Sequence, residues 1–494
     1  MDTRTMAGQR LCVGFTGTEI SPEIRDAVRE YKIGNVILFS RNIASFGQLR
    51  SLCADLSALI LAETGLPPFI MIDEECGVIS RLGHLTGDTP CAGALGCTGD
   101  PENARAVGRI VGKRLRAAGV NMNLVPVLDC LSRPGCEGMP NRRFSPDPEQ
   151  VARFGLAYLE GLRESGILAC GKHFPGHGDT VLDTHFALPT VDKPLEALER
   201  TELVPFRAAV RSGIEAVMTA HIRFPALDPE RPATVSPAIL RGLLRERLGF
   251  GGIIVSDGME MQAMLDLFPV PEGVFRALNA GVDISLVCDD PPLAAAACER
   301  VLDAVRRGDV PREDLEEHFR RIQRYKAAPP APGPAADFSD PRDRELSVEI
   351  MARSVRLLHA PEGRPLPATG RNTLFWARPA RRSSPVMDGV NQNAAVYAAG
   401  KTGSSLVYSG TEPLPDALPD TAVFFLEREN HLEEGLAEAA RLAAGGTKVV
   451  CVALDTPFVL DDAPENAWHI VAWQYQPLAL DAVLRLLKKE GAAQ

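Results

Sequence analysis

What the chain lacks narrows its function before any motif is read. No Cys-x-x-Cys pair occurs among its eleven cysteines, which removes the usual zinc-ribbon arrangement. An odd number of cysteines in no repeating pattern fits mostly buried thiols in a reducing compartment. Positive charge is not in excess: 53 Lys and Arg stand against 64 Asp and Glu, a net charge of -11. Without a basic footprint for a phosphate backbone, nucleic acid is not expected as a partner. No run of about eighteen apolar residues occurs. The first ten residues, Met1 to Arg10, lack the apolar core and small-residue cleavage site of an export signal. A cytoplasmic protein without a membrane partner is therefore expected. No internal repeat of solenoid length is present either.

What is present is a long chain of ordinary globular composition. Its 494 residues, 45% hydrophobic and 24% charged, exceed one ordinary core and point to two or three domains. Short apolar runs alternate with helical patterns. The runs are Leu11 to Phe15, Asn35 to Phe39, Phe69 to Asp73, Met122 to Val127, Ile167 to Cys170, Glu215 to Thr219, Gly252 to Ser256 and Asp283 to Val287. Helical patterns cover Ser21 to Lys32, Phe46 to Glu63, Asp100 to Ala118, Pro148 to Ser165 and Pro194 to Ser212. Eight strands alternating with helices over residues 1–326 predict an α/β fold, a (β/α)8 TIM barrel, although an open doubly wound sheet uses the same alternation. Asp73, Lys172 with His173, His221 and Asp257 all fall just past the carboxyl ends of different strands. In a closed barrel those ends converge on one mouth, where such folds place their active sites.

Residues 327–340 contain the Pro- and Ala-rich stretch Ala327 to Ala336, a semi-rigid linker by composition. Beyond it, residues 341–494 carry a helical pattern at Glu345 to Arg356 and five apolar runs: Thr373 to Trp376, Ser405 to Tyr408, Ala422 to Phe425, Lys448 to Val452 and His469 to Ala472. With helices at His431 to Ala444 and Leu478 to Lys489, this predicts a second, smaller three-layer α/β domain.

Chemistry concentrates in Gly171-Lys172-His173-Phe174-Pro175-Gly176-His177-Gly178-Asp179-Thr180-Val181-Leu182-Asp183-Thr184-His185. Its glycines and proline rule out a regular helix, and the segment follows a strand. Three readings of it stand open. His173, His177, Asp179, Asp183 and His185 are all good ligand types for zinc or iron, but they lack the compact spacing of well-defined metal sites. The loop can also be structural, with His177 and Asp179 bonding its own backbone. The third reading is acid/base chemistry: in an extended segment Asp183 and His185 point the same way, so the carboxylate can orient the imidazole and stabilise its charged form. Asp257 at the end of the seventh strand is a nucleophile, a metal ligand or a helix cap.

These residues resemble a known family. Lys172 to Thr180 followed by Asp183-Thr184-His185 is similar to the signature of glycoside hydrolase family 3, in its β-N-acetylglucosaminidase (β-N-acetylhexosaminidase) branch. Ile33 to Asn42, Val217 to Ile222 and Ser256-Asp257 support the resemblance, which runs through most of residues 10–326. It implies that Asp257 is the nucleophile, that His185 held by Asp183 protonates the leaving oxygen, and that Asp73, Arg81, Arg142, Lys172 and His173 bind sugar hydroxyls. It implies no metal and no organic cofactor. The chain departs from the pattern in three places, one of them Thr184 where Ser is commoner, an extra methyl that should be tolerated. Asp73-Glu74-Glu75-Cys76-Gly77-Val78-Ile79 has lost a glycine and an arginine, and Arg142-Arg143-Phe144 stands where Arg-Ser-Phe is usual, leaving Arg143 as a surface residue by default.

The resemblance implies a retaining exo-β-N-acetylglucosaminidase acting on peptidoglycan- or chitin-derived oligosaccharides, with small sugars as its partners. A β-glucosidase, a β-xylosidase or a phosphorylase of the same family is the alternative. A metal-dependent hydrolase or a silent sugar-binding protein is more distant.

Overall fold

The computed structural model describes residues 1–130, 140–180, 184, 186–327, 331–378, 393–409, 418–428 and 431–488. The chain forms two compact units, each built from separate stretches. The first comprises Met1–Glu74, Ala104–Gly138 and Arg143–Asp340; the second comprises Glu75–Asn103, Met139–Arg142 and Pro341–Gln494.

The first unit is a closed barrel of eight strands in sequence order: β1 (Leu11–Val13), β2 (Asn35–Leu38), β3 (Phe69–Ile72), β4 (Met122–Asn123), β5 (Leu168–Phe174), β6 (Ala216–Thr219), β7 (Ile253–Gly258) and β8 (Ile284–Val287). Every pairing is parallel, and β8 closes on β1 with Leu11 opposite Ser285 and Cys12 opposite Leu286. Alternate residues fill the interior: Phe69 and Met71, Ala216 and Met218, Ile253 and Val255, Ile284 and Leu286 pack in one cluster with Cys12, Ile37 and Cys170. This is the period of two expected of strands. The surrounding helices begin where short polar caps precede them. Ser45 accepts from the amide of Gln48 to start Phe46–Thr64, and Asp147 accepts from Glu149 to start Pro148–Glu164.

Two expected elements differ from what is found. The helical pattern over Pro194 to Ser212 is broken into Leu195–Arg200 and Leu203–Arg211, and at the break Glu202 is buried and meets Lys193 at 2.7 Å. The strand expected over Met122 to Val127 ends at Asn123. Pro126 has no N–H for the ladder, and past Asn123 the contact with β5 continues as single bonds, Cys170 N to the Val125 carbonyl and Lys172 N to the Pro126 carbonyl, with an isolated bridge between Val127 and Lys172.

Residues 331–340 pack on the barrel. Phe338 stacks on Phe46 at 4.2 Å, Gly333 donates to the Arg116 carbonyl at 2.9 Å, and Arg50 donates to the Gly333 carbonyl at 3.1 Å. Proposed boundaries of 1–326, 327–340 and 341–494 thus differ from the observed units, which run to Asp340 and give Glu75–Asn103 to the second.

The second unit is a six-stranded sheet in the order β11-β10-β12-β13-β14-β9. Its strands are β9 (Arg356–His359), β10 (Thr373–Trp376), β11 (Val407–Tyr408), β12 (Thr421–Leu426), β13 (Lys448–Ala453) and β14 (Trp468–Val471). All pair in parallel except β9, which runs antiparallel along β14. Its two faces are separately covered. Phe375, Val423, Phe425, Val450 and Val452 pack under the helices Pro341–Ser354, Ala394–Thr402 and Pro477–Lys488. Leu374, Trp376, Phe424 and Cys451 pack under Leu432–Ala444. Three layers result. Val78, Ile79, Cys91 and Ala94 belong to the first of these clusters, which explains why their segment groups with C-terminal residues. Among the described residues no helix is long and apolar enough to cross a membrane.

Candidate active site

Both irregularities in the barrel's strand ladder fall at residues expected to carry chemistry. The β5–β6 register shifts between Gly171 and Phe174, around Lys172 and His173; the β7–β8 register shifts between Val255 and Gly258, around Asp257. A bulge re-aims side chains at a barrel rim. The Lys172–His173 peptide is cis, as are Val125–Pro126 and Phe174–Pro175.

At the first bulge the two side chains go to different carboxylates. Lys172, almost wholly buried, donates to Asp73 Oδ1 at 2.7 Å. Asp73 is fixed from behind, since Asn123 on β4 exchanges two 3.0 Å hydrogen bonds with the backbone of Glu74. His173 Nδ1 lies 2.7 Å from Asp129 Oδ2, and Asp129 Oδ1 also accepts from the amides of His173 at 3.1 Å and His177 at 2.7 Å. Burial pushes the Asp129 carboxyl up, but its pairing with His173 outweighs this and holds it well below the usual carboxylate range. A carboxylate only accepts, so His173 Nδ1 carries a proton and the ring orientation is set.

The rest of the histidine loop is held partly by its own residues and partly by neighbours. His177 contacts Thr180 Oγ1 at 2.8 Å and Thr184 Oγ1 at 3.3 Å, and burial pushes its pKa down to about 4. Asp179 pairs with Lys193 at 3.2 Å, which also holds Glu202. The structural reading expected His177 and Asp179 to bond the loop's own backbone; the bonds seen here run instead to the hydroxyls of Thr180 and Thr184 and to Lys193. Gly178 cannot be replaced without movement: a Cβ there would lie 1.5 Å from the Cys130 carbonyl oxygen. Thr184 is buried, and its carbonyl accepts from Ala263 N at 3.3 Å. Asp183 and His185, the expected acid/base pair on either side of it in sequence, lie outside the described residues. Among the described residues no group of three or more His, Cys, Asp or Glu is arranged to hold a metal ion.

Asp257 is part-exposed at the carboxyl end of β7, with Oδ1 accepting from Gly258 N at 2.8 Å. The backbone beneath it is pinned from three sides. Ser256 Oγ donates to the Asp257 carbonyl at 2.7 Å and accepts from Leu286 N at 3.0 Å; His221 Nε2 donates to the Gly258 carbonyl at 2.9 Å. His221, two residues past β6, thereby supports the segment that carries Asp257. Lys172, Asp73 and Asp257 act in that order on the buried Cys170 thiol, whose pKa is raised chiefly by burial.

Arg142 and Arg81 belong to the second unit. Arg142 makes a two-pronged pair with Glu75, at 2.7 and 2.8 Å. Arg81 is fully buried, and the roles expected for both rest on the resemblance alone. Arg143 is not a surface residue: it is buried and donates to the His177 carbonyl at 3.3 Å. Where the family pattern has glycine, Cys76 takes φ 77°, a left-handed conformation that costs a side-chain-bearing residue about 1–2 kcal/mol. Sequence reasoning missed Asp129, Glu75 and Arg143. Asp129 alone left a signal, an acidic residue two positions beyond an apolar run.

The description Glycosyl hydrolase family 3 N terminal domain matches residues 4–325. The chain belongs to glycosyl hydrolase family 3. A relative from Pseudoalteromonas piscicida, Beta-hexosaminidase A, is 32% identical over 72% of this chain and 67% of its own length. The Beta-hexosaminidase of Stenotrophomonas maltophilia (strain K279a) is 39% identical over 56% of this chain and 83% of its own. Among solved structures, a family 3 β-N-acetylglucosaminidase from Paenibacillus sp. str. FPU-7 is similar with a TM-score of 0.90 at 31% identity, covering 99% of this chain and 97% of that one. The barrel and the three-layer unit are thus the architecture of a family 3 enzyme.

Proposed function

We propose that this chain is a retaining exo-β-N-acetylglucosaminidase. Asp257 attacks the anomeric carbon of a terminal sugar, and the bond from that carbon to the aglycone oxygen breaks as the bond to Asp257 forms. His185, oriented by Asp183, gives its proton to the departing oxygen. Water, deprotonated by the same imidazole, then attacks the anomeric carbon and frees Asp257. Asp73, Lys172 and His173 hold the sugar hydroxyls. The mechanism needs no metal and no organic cofactor.

The observation that carries this reading is the hydrogen bond from Ala263 N to the Thr184 carbonyl. Thr184 stands between Asp183 and His185, and Ala263 follows Asp257 in the segment leaving β7. It ties the loop of the expected acid to the segment of the expected nucleophile. The similarity to Beta-hexosaminidase relatives and to the Paenibacillus β-N-acetylglucosaminidase supports the sugar choice. The substrates proposed are short peptidoglycan- or chitin-derived oligosaccharides, turned over in the cytoplasm during cell-wall recycling. The test is hydrolysis of aryl N-acetyl-β-glucosaminide, β-glucoside and β-xyloside, each with and without phosphate. The N-acetylglucosaminide is expected to be preferred, with free sugar released; preference for the glucoside or xyloside refutes the sugar choice.

A further inference from the structure

The second unit contains a histidine pair that the glycosidase chemistry does not use. His359 on β9 stands directly opposite His469 on β14, where the ladder shifts register. Their ring centroids are 4.8 Å apart with the planes inclined at 43°. Both rings reach one turn: His359 Nε2 meets the Glu465 carbonyl at 2.8 Å, and His469 Nε2 meets the Pro464 carbonyl at 3.0 Å. A carbonyl oxygen only accepts, so each Nε2 carries the proton. In the neutral ring each Nδ1 therefore keeps its lone pair. One ring nitrogen donated to a backbone carbonyl and the other left as a lone pair is the state in which histidine ligates a metal.

The rings open on a cleft of about 680 Å³ that is also lined by Glu362, Asp461 and Glu465, three carboxylates against the single cation of Arg364. We propose that His359 and His469 form a two-histidine site for a divalent transition-metal cation such as Zn2+, bound through their Nδ1 atoms. With centroids 4.8 Å apart, the two rings are close enough for one cation to reach both of them. No third His, Cys, Asp or Glu among the described residues completes a metal-binding group, so water supplies the remaining positions of the tetrahedron. The carboxylates of the cleft bias it towards cations, and imidazole ligands select zinc, copper or nickel over magnesium and calcium.

The test is calorimetric titration of the full chain with Zn2+ under reducing conditions, on wild type, His359→Gln and His469→Gln, with imidazole nitrogen shifts read by NMR on the wild type. One Zn2+ per chain is expected, with the Nδ1 resonances of both histidines moving. Affinity falls roughly tenfold or more in either variant. Absence of zinc-dependent shifts at the two rings in wild-type protein overturns the proposal whatever the variants do. So does a folded single variant that binds as wild type does, or Mg2+ binding as tightly as Zn2+.

Discussion

Buried charge sits at both ends of the barrel, and the two ends are built to different purposes. At the amino-terminal end, Asp283 just before β8 is fully buried. Its Oδ1 receives Arg321 at 2.5 Å and His318 at 2.6 Å; its Oδ2 receives Arg245 at 2.5 Å and Ile254 N at 2.7 Å. Burial raises the Asp283 carboxyl, but His318, Arg245 and Arg321 outweigh it and hold it well below the carboxylate range. At the carboxyl-terminal end, Asp257 is part-exposed and stands on a bulge whose backbone is pinned by Ser256 and His221. Saturation of a carboxylate by fixed donors stabilises a fold. Under the proposed function, the part-exposed carboxylate on a fixed backbone serves the reaction, a division of roles between the two ends that barrels use.

Asp257→Asn sharpens this contrast most. Turnover of an aryl N-acetyl-β-glucosaminide is expected to fall roughly a thousandfold or more, with the melting temperature held or raised. A large drop in melting temperature would make Asp257 a structural residue. Asp283→Asn is expected to do the reverse, costing about 3–5 kcal/mol because one partner of a buried ionic cluster is removed. Chemical denaturation measures the loss, and turnover per folded molecule should stay near wild type. Gly178→Ala belongs to the mouth and drives a methyl into the Cys130 carbonyl. A cost of about 1–3 kcal/mol with reduced turnover is expected, and unchanged activity would show that the loop's close approach is dispensable.

The smallest effect is shared by both ends. Burial pushes His318 at the floor and His177 at the mouth down to about 4 from 6.5. Between those values the unfolded chain binds protons that the folded chain refuses, so stability is present above pH 6.5 and is lost as pH falls towards 4. Urea midpoints measured across that window should decline, and His318→Gln should flatten the decline. An unchanged slope in that variant would remove the floor histidine from the account.

The barrel was legible in the sequence because its strands announce themselves as apolar runs at regular separation, and eight such runs over residues 1–326 close one barrel. β9 was not legible. Its four residues, Arg356 to His359, are mostly exposed, and only the long-range antiparallel pairing with β14 makes them a strand. Candidate residues were legible near strand ends: Asp73 follows β3 as expected, whereas Lys172 and Asp257, expected just past their strands, lie within the last residues of β5 and β7, which run longer than their apolar runs. Asp129 escaped because its partners His173 and His177 lie 44 and 48 residues away. Arg143 escaped because an arginine beside an arginine carries no local sign of which is buried. Glu75 was passed over as part of a glycine-poor loop, although it fixes Arg142 with both oxygens.

Azide rescue of Asp257→Gly tests the central claim most directly. With an activated aryl N-acetyl-β-glucosaminide, azide should occupy the space of the lost carboxylate and attack the anomeric carbon from its face. The account predicts restored turnover and an α-glycosyl azide product. Full activity without azide, or a β-glycosyl azide, would contradict Asp257 as the nucleophile.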